Sequence, residues 1–242
     1  MWIRGLDLQI IDGPALCETT LDQLLRLRAR FLALKPHVTA EADRAAVASW
    51  LRAPGTTIAV GRDRDGAVQT FIDMNSRVFE HGGQRHLVCY GNYVFAAQQY
   101  RAHPAYTLGN AWNLYVHCRR GRTVSRVVWT GASYPTSFVV GARTFAHFWA
   151  TCEPDAPRQL VALLDVAAPS LFGASWLAEQ RLVVMRTLPG PHEPRSAAGR
   201  AVLARYERCN PRWREGYGVL FGMPLDLANL VGVLRRLLAI GR

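Results

Sequence analysis

A few stretches of this chain hold side chains able to move protons or grip an anion. His86 shares one β-rich run with Cys89 and Asn92. Imidazole titrates near neutrality and serves as base or acid. Tyr134 stands directly before Pro135, and a phenol can give a proton to a leaving group. Asp73 and Glu80 offer carboxylates in the preceding run. Tyr100 and Arg101 fall in a polar loop, Gln98 to Pro104, that opens a helical pattern flanked by His103 and His117. The start of a helix presents unsatisfied N–H groups and the positive end of its dipole, which favour an anion.

Several other chemistries are excluded. There is no GxxxxGK[ST] phosphate loop, no GxGxxG after a strand and no HExxH. Gly173-Ala174-Ser175 runs into Trp176, so no nucleophile elbow exists. Asp63-Arg64-Asp65-Gly66 lacks the later carboxylates of a calcium loop and reads as a hairpin turn. Cys17, Cys89, Cys118, Cys152 and Cys209 are widely spaced with no CxxC, and read as reduced thiols. No metal is expected.

Stepping along the chain, Leu6 to Ile11 alternates as a strand, and Ala15 to Leu34 is helical through Leu21, Leu24, Leu25, Leu27 and Phe31. A second helix covers Ala40 to Leu51. Thr56 to Val60, Ala67 to Phe79 and Gln84 to Ala96 form a three-stranded meander with turns at Asp65-Gly66 and at Glu80 to Gly83. Ala105 to Cys118 is a helix expected to turn Leu108, Trp112 and Tyr115 or Val116 inward. Val124 to Thr130 is a strand, which completes a crossover unit. Further on come the aromatics Phe138, Phe145, Phe148 and Trp149, a helical stretch at Leu160 to Val166, and a strand at Arg181 to Thr187. A linker (Pro189 to Pro194), an amphipathic helix (Ser196 to Cys209) and a final helix (Leu225 to Ile240) end the chain.

The 242 residues are 50% hydrophobic and 19% charged, which suits a folded chain. No apolar run of roughly 18 residues and no secretory signal is present, so the expectation is a soluble cytoplasmic protein. The formal charge is +11. An acidic protein, nucleic acid or anionic membrane suits such a balance. Lys35 is the lone lysine among 29 basic residues, however. That arginine excess reads as a compositional bias rather than a nucleic-acid surface, which makes nucleic acid an unlikely partner.

The order strand, two helices, meander, loop and helix, strand resembles the GNAT superfamily of N-acyltransferases. The resemblance covers about residues 6 to 150. It centres on Tyr93-Val94-Phe95-Ala96-Ala97-Gln98-Gln99-Tyr100-Arg101-Ala102-His103. In that family the corresponding segment, V-x-P-x-Y-R-G-x-G-x-G, cradles the pyrophosphate of coenzyme A, and the strand before it pairs with the pantetheine arm. The resemblance implies an α/β (α+β) fold with a mixed, mostly antiparallel twisted sheet flanked by helices, plus C-terminal helices. It implies a donor site at Val94, Phe95, Ala96, Gln99, Tyr100, Arg101, Ala102 and His103. Tyr100-Arg101 match, but Ala102, Pro104 and Tyr106 stand where the family has glycines. Proline donates no N–H, so the cradle is incomplete. Either a coenzyme A thioester binds a modified loop, or the donor is a phosphopantetheine thioester on an acidic acyl carrier protein, which a basic enzyme suits.

The reaction so implied is attack of an amine, on a small molecule or peptide, directly on the thioester. The resemblance makes Tyr134 the acid. It points to His86 as the base, with Asp73 and Glu80 as alternatives that otherwise read as surface charges. Direct transfer requires no nucleophile, so Cys89 is unforced. The four aromatics line an acyl pocket or form ordinary core. Residues 1–190 are read as the acyltransferase domain, and 191–242 as a helical extension packed on it. The apolar final helix docks on its own domain, joins a homodimer or lies on a membrane surface. The alternative function is a catalytically degenerate binding module for an acidic protein or nucleic acid.

Overall fold

The computed structural model describes residues 1–100, 103–120, 124–190, 194 and 196–232. The chain is mixed α/β, and its registered strand pairs are antiparallel. It divides into two compact units. The first holds residues 1–77 and 89–120, and the second the described residues of 78–88 and 124–232. Among the described residues no helix is long and apolar enough to cross a membrane.

The first unit begins with β1 (Trp2–Ile3) and β2 (Leu6–Asp12). Helix α1 (Glu18–Ala29), β3 (Leu32–Leu34) and α2 (Ala40–Leu51) follow. Strands β4 (Thr57–Arg62), β5 (Val68–His81), β6 (Gln84–Tyr90) and β7 (Val94–Ala96) lead to α3 (Pro104–Arg120), the β5–β6 hairpin at residues 78–88 being assigned to the second unit. Strand β2 pairs β4, β4 pairs β5, and β5 pairs β7. The sheet face under α1 and α2 is apolar, built from Leu21, Leu24, Leu27, Val47, Leu51, Ile58, Val60 and Phe71. Thr39 caps α2 through Ala42 N–H at 3.2 Å. The buried Arg28–Asp43 pair, bidentate at 2.5 and 3.0 Å, ties α1 to α2. Helix α1 stops at Ala29, short of the expected Leu34, because residues 32–34 turn extended.

Helix α3 turns Leu108 inward as expected, against Leu8, Ala59 and Ile72, but faces two of the expected residues outward. Trp112 and Tyr115 are 51% and 53% exposed. The buried stripe is Ala105, Gly109, Asn113 and His117, which repeats every four residues. Gly109 sits over Ala59 and Leu8, where a Cβ would lie 3.0 Å from the Ala59 methyl. Asn113 Nδ2 donates to Ile72 O at 2.9 Å. His117 bridges Thr57 Oγ1 at 2.9 Å and Ser76 Oγ at 2.8 Å. Buried hydrogen bonds therefore seat this helix together with the Leu108 contact, and the hydrophobicity pattern misplaces Trp112 and Tyr115.

The second unit comprises β8 (Arg126–Ser133), α4 (Pro135–Thr144), β9 (Trp149–Ala150) and α5 (Arg158–Phe172). Then come β10 (Trp176–Leu177), β11 (Leu182–Val184), β12 (Thr187–Pro189), α6 (Ala197–Cys209) and β13 (Tyr217–Pro224). Strand β13 lies between β8 and β11, and β11 pairs β10. Residues 191–242 are thus not a purely helical extension: they supply a central strand. Gly218, Gly222 and Pro224 disguise it in sequence. At Gly222 a Cβ would press on the Leu164 side chain at 2.7 Å, so any larger residue must displace it. Phe138 and Phe148 pack with Tyr206 and Phe221 as core, so the ordinary reading of these aromatics fits the packing. Residues 227–232 are helical, and the rest of the expected final helix lies outside the described residues.

Candidate functional site

The expected long strand Gln84 to Ala96 is interrupted. Strand β6 ends at Tyr90 and β7 starts at Val94. Strand β7 pairs β5 in the register Thr70↔Ala96, Phe71↔Phe95 and Ile72↔Val94. Ladder bonds alternate in antiparallel pairs. Asp73 N–H donates to Tyr93 O at 3.1 Å and Ala97 N–H to Gln69 O at 2.8 Å, so the bonded positions on this strand are 93, 95 and 97. The N–H and C=O groups of Val94 and Ala96 therefore turn away from β5. Among the described residues strand β7 has no other sheet partner. Its outer edge is a short row of backbone donors and acceptors able to pair with an extended amide-bearing chain.

Asp73 holds the interruption. It is 1% exposed, contrary to the expected surface charge. Its Oδ1 accepts Tyr93 N–H at 2.5 Å, and its Oδ2 accepts Asn92 N–H at 3.2 Å and Trp50 Nε1–H at 2.5 Å. Burial outweighs these three bonds and raises its pKa to about 6. Gly91 packs against the Asp73 carbonyl, where a Cβ would fall 2.3 Å from the oxygen. Beyond β7, Phe95 stacks on Phe31 and tilts against Phe71, while the Arg28 guanidinium lies over the Tyr93 ring at 5.5 Å.

After β7, residues 98–100 form a tight turn, with Tyr100 N–H donating to Ala97 O at 2.8 Å. Gln99 is exposed. Arg101 and Ala102 lie outside the described residues. His103 caps α3: its Nδ1 accepts Ala105 N–H at 3.2 Å, and its Nε2 donates to Arg4 O at 3.1 Å. A helix start has four amides without helical partners. Here the His103 amide goes to Tyr100 O at 3.0 Å, Pro104 has none, and the Ala105 amide is taken by the imidazole.

The other candidates are placed elsewhere. His86 is buried in the hairpin tip of the second unit; its Nε2 donates to His81 O at 3.3 Å, and Nδ1 has no hydrogen-bond partner. Glu80 is exposed on the same hairpin. Tyr134, also in the second unit, is buried and donates its hydroxyl proton to the Thr187 carbonyl, anchoring the start of α4 to β12. Cys89 is buried, and desolvation pushes its thiol far above the usual range, which suits core rather than nucleophile. His117 is held neutral: burial and the nearby Arg120 lower it to about 4. The structure thus gathers Val94, Phe95, Ala96 and Asp73 at one strand break. The signal missed in sequence was Gly91-Asn92, a break inside an otherwise strand-like run.

No family model matches the chain, and no curated protein matches it. Among solved structures, it is similar to the aminoglycoside 6'-N-acetyltransferase AAC(6')-Ih from Acinetobacter baumannii, at 13% identity and a TM-score of 0.40, over 54% of this chain and 80% of that one. It is also similar to AAC(6')-Iy bound to a bisubstrate analogue, CoA-S-monomethyl-acetylneamine, at 18% identity and a TM-score of 0.40, over 56% and 84% of the two chains. A third is the ribosomal-protein-alanine N-acetyltransferase from Brucella melitensis biovar Abortus 2308, at 13% identity and a TM-score of 0.37, over 55% and 85%.

Proposed function

We propose that this protein is an N-acyltransferase that receives its acyl group as a thioester on a pantetheine arm. The observation that carries the reading is the unpaired edge of β7, with the backbone groups of Val94 and Ala96 turned outward. A pantetheine arm is an extended chain with two amides, and such an edge pairs with it as with an added strand. The amine lone pair attacks the thioester carbonyl. The C–S bond breaks, the amine loses a proton and the departing thiolate takes one up.

The helix start separates two donors. Pro104 and the imidazole cap on Ala105 N–H remove two of the helix-start amides a diphosphate would use, and a chain of charge +11 suits an acidic carrier. We therefore favour a phosphopantetheine thioester on a carrier protein over coenzyme A. Native mass spectrometry with acyl-coenzyme A thioesters and an acyl carrier protein tests this, followed by transfer to an amine panel. The expected result is retention of the carrier thioester and acylation of an amine. Retention of the coenzyme A thioesters alone moves the donor to the nucleotide. Retention of neither overturns the reading in favour of a binding module without turnover.

A further inference from the structure

We infer that Asp73 is a positioning residue for the donor: its carboxylate replaces a backbone carbonyl as the ladder acceptor and so fixes where the open edge of β7 lies. This rests on the acyltransferase reading above. In an unbroken antiparallel pair, residues 73 and 93 would exchange two backbone bonds. Here Asp73 N–H still reaches Tyr93 O at 3.1 Å, but Tyr93 N–H goes to the Asp73 side chain at 2.5 Å. The Asp73 carbonyl faces the Gly91 backbone, close enough that a Cβ there would fall 2.3 Å from its oxygen. The side chain reaches past that contact and also collects Asn92 N–H. Trp50 Nε1 steadies it from α2, and Trp50 itself meets the Tyr90 ring edge-on at 5.4 Å. One residue beyond the carboxylate, regular pairing resumes at Ile72↔Val94. Val94 is also the first residue whose backbone faces outward. An asparagine cannot do the same job, because its amide offers one acceptor oxygen where three donors converge.

The geometry separates this role from that of a general base. Asp73 is buried and its oxygens are occupied by N–H donors, so its loss acts on donor seating rather than on proton removal. Asp73→Asn and Trp50→Phe are compared with the wild type for donor-thioester KM, acceptor KM and kcat, with thermal melts to establish folding. The expected result for Asp73→Asn is a donor KM raised about tenfold, with acceptor KM and kcat within about twofold. Trp50→Phe, which keeps both backbone bonds to the carboxylate, raises donor KM by a smaller factor and serves if Asp73→Asn does not fold. Hydrogen exchange at residues 90–97 should rise in both variants. A folded variant with unchanged donor KM overturns the positioning role, as does a fall in kcat at constant KM. A wild type that binds no acyl thioester overturns the donor reading itself, a result distinct from either of these.

Discussion

Both units pack rings and bury hydrogen bonds, but they place the two kinds of contact differently. In the second, rings pack on rings: Phe138 on Phe148 and Tyr206, Phe148 on Phe221, and Trp129 against Phe145 and Phe221. In the first, the helical face of α1 and α2 is apolar, but the α3 side is seated by Asn113, His117, Thr57 and Ser76, and the strand break by Asp73 and Trp50. Apolar packing is non-directional and tolerates small shifts. Buried hydrogen bonds accept one register only, because a displaced donor or acceptor is left unsatisfied. The polar fastening occurs where the candidate donor edge must be placed to within a fraction of an ångström. The aromatic fastening occurs where bulk stability suffices.

The largest effect should come from the aromatic unit. Phe138 is fully buried, and Phe138→Ala should cost about 3–5 kcal/mol, read as a lower urea midpoint. A loss under about 1 kcal/mol would show that the ring stack is not what stabilises this unit. The next effect sharpens the polar side through pH. The pKa of His117 falls to about 4 on folding, below its ordinary 6.5. The unfolded chain then binds the extra proton between these values, so stability is full above pH 6.5 and drains as pH falls toward 4. Asp73 works in the opposite sense: its pKa of about 6 exceeds the ordinary 3.8, so the folded state gains stability as pH falls through 6. His117→Gln should abolish the first drain, of roughly 2–3 kcal/mol, so that the variant gains stability relative to the wild type from pH 6.5 to 4.5. A variant that follows the wild-type acid profile would remove His117 from this account. The smallest effect belongs to the outward face of α3. Trp112→Ser should change stability by about 0.5 kcal/mol or less, since its ring is half exposed. A loss above about 2 kcal/mol would mean that the apolar face, and not the polar one, seats the helix.

That last contrast also marks how far the sequence can be read. The meander, α1, α2 and α6 announce themselves through period and caps: Leu21, Leu24 and Leu27 recur at helical spacing, and Ser196 caps α6 through Gly199 N–H at 3.1 Å. The underside of α3 does not, because Asn113 and His117 resemble surface residues until their partners on Ile72, Thr57 and Ser76 are known. Strand β13 is masked by its glycines, which are there to admit Leu160, Leu164 and Met185. The candidate site was half legible. The Val94 to Ala96 strand follows from its pattern, whereas Asp73 looked like an exposed charge, since a lone acid in a strand carries no sign of the three donors that fold back onto it.

The His103 cap has a kinetic and thermodynamic meaning beyond the geometry of α3. The resting protein carries its own occupant at the Ala105 amide, so a phosphate seeking that amide competes with a tethered imidazole rather than with water. A cap of this kind is worth about 1 kcal/mol. The binding-competent, uncapped form is then a minority, and apparent anion affinity there drops about fivefold. The helix start becomes a threshold. Any phosphate that takes that amide pays the opening cost, and on the proposed reading an arm along β7 would offset it by raising the local phosphate concentration.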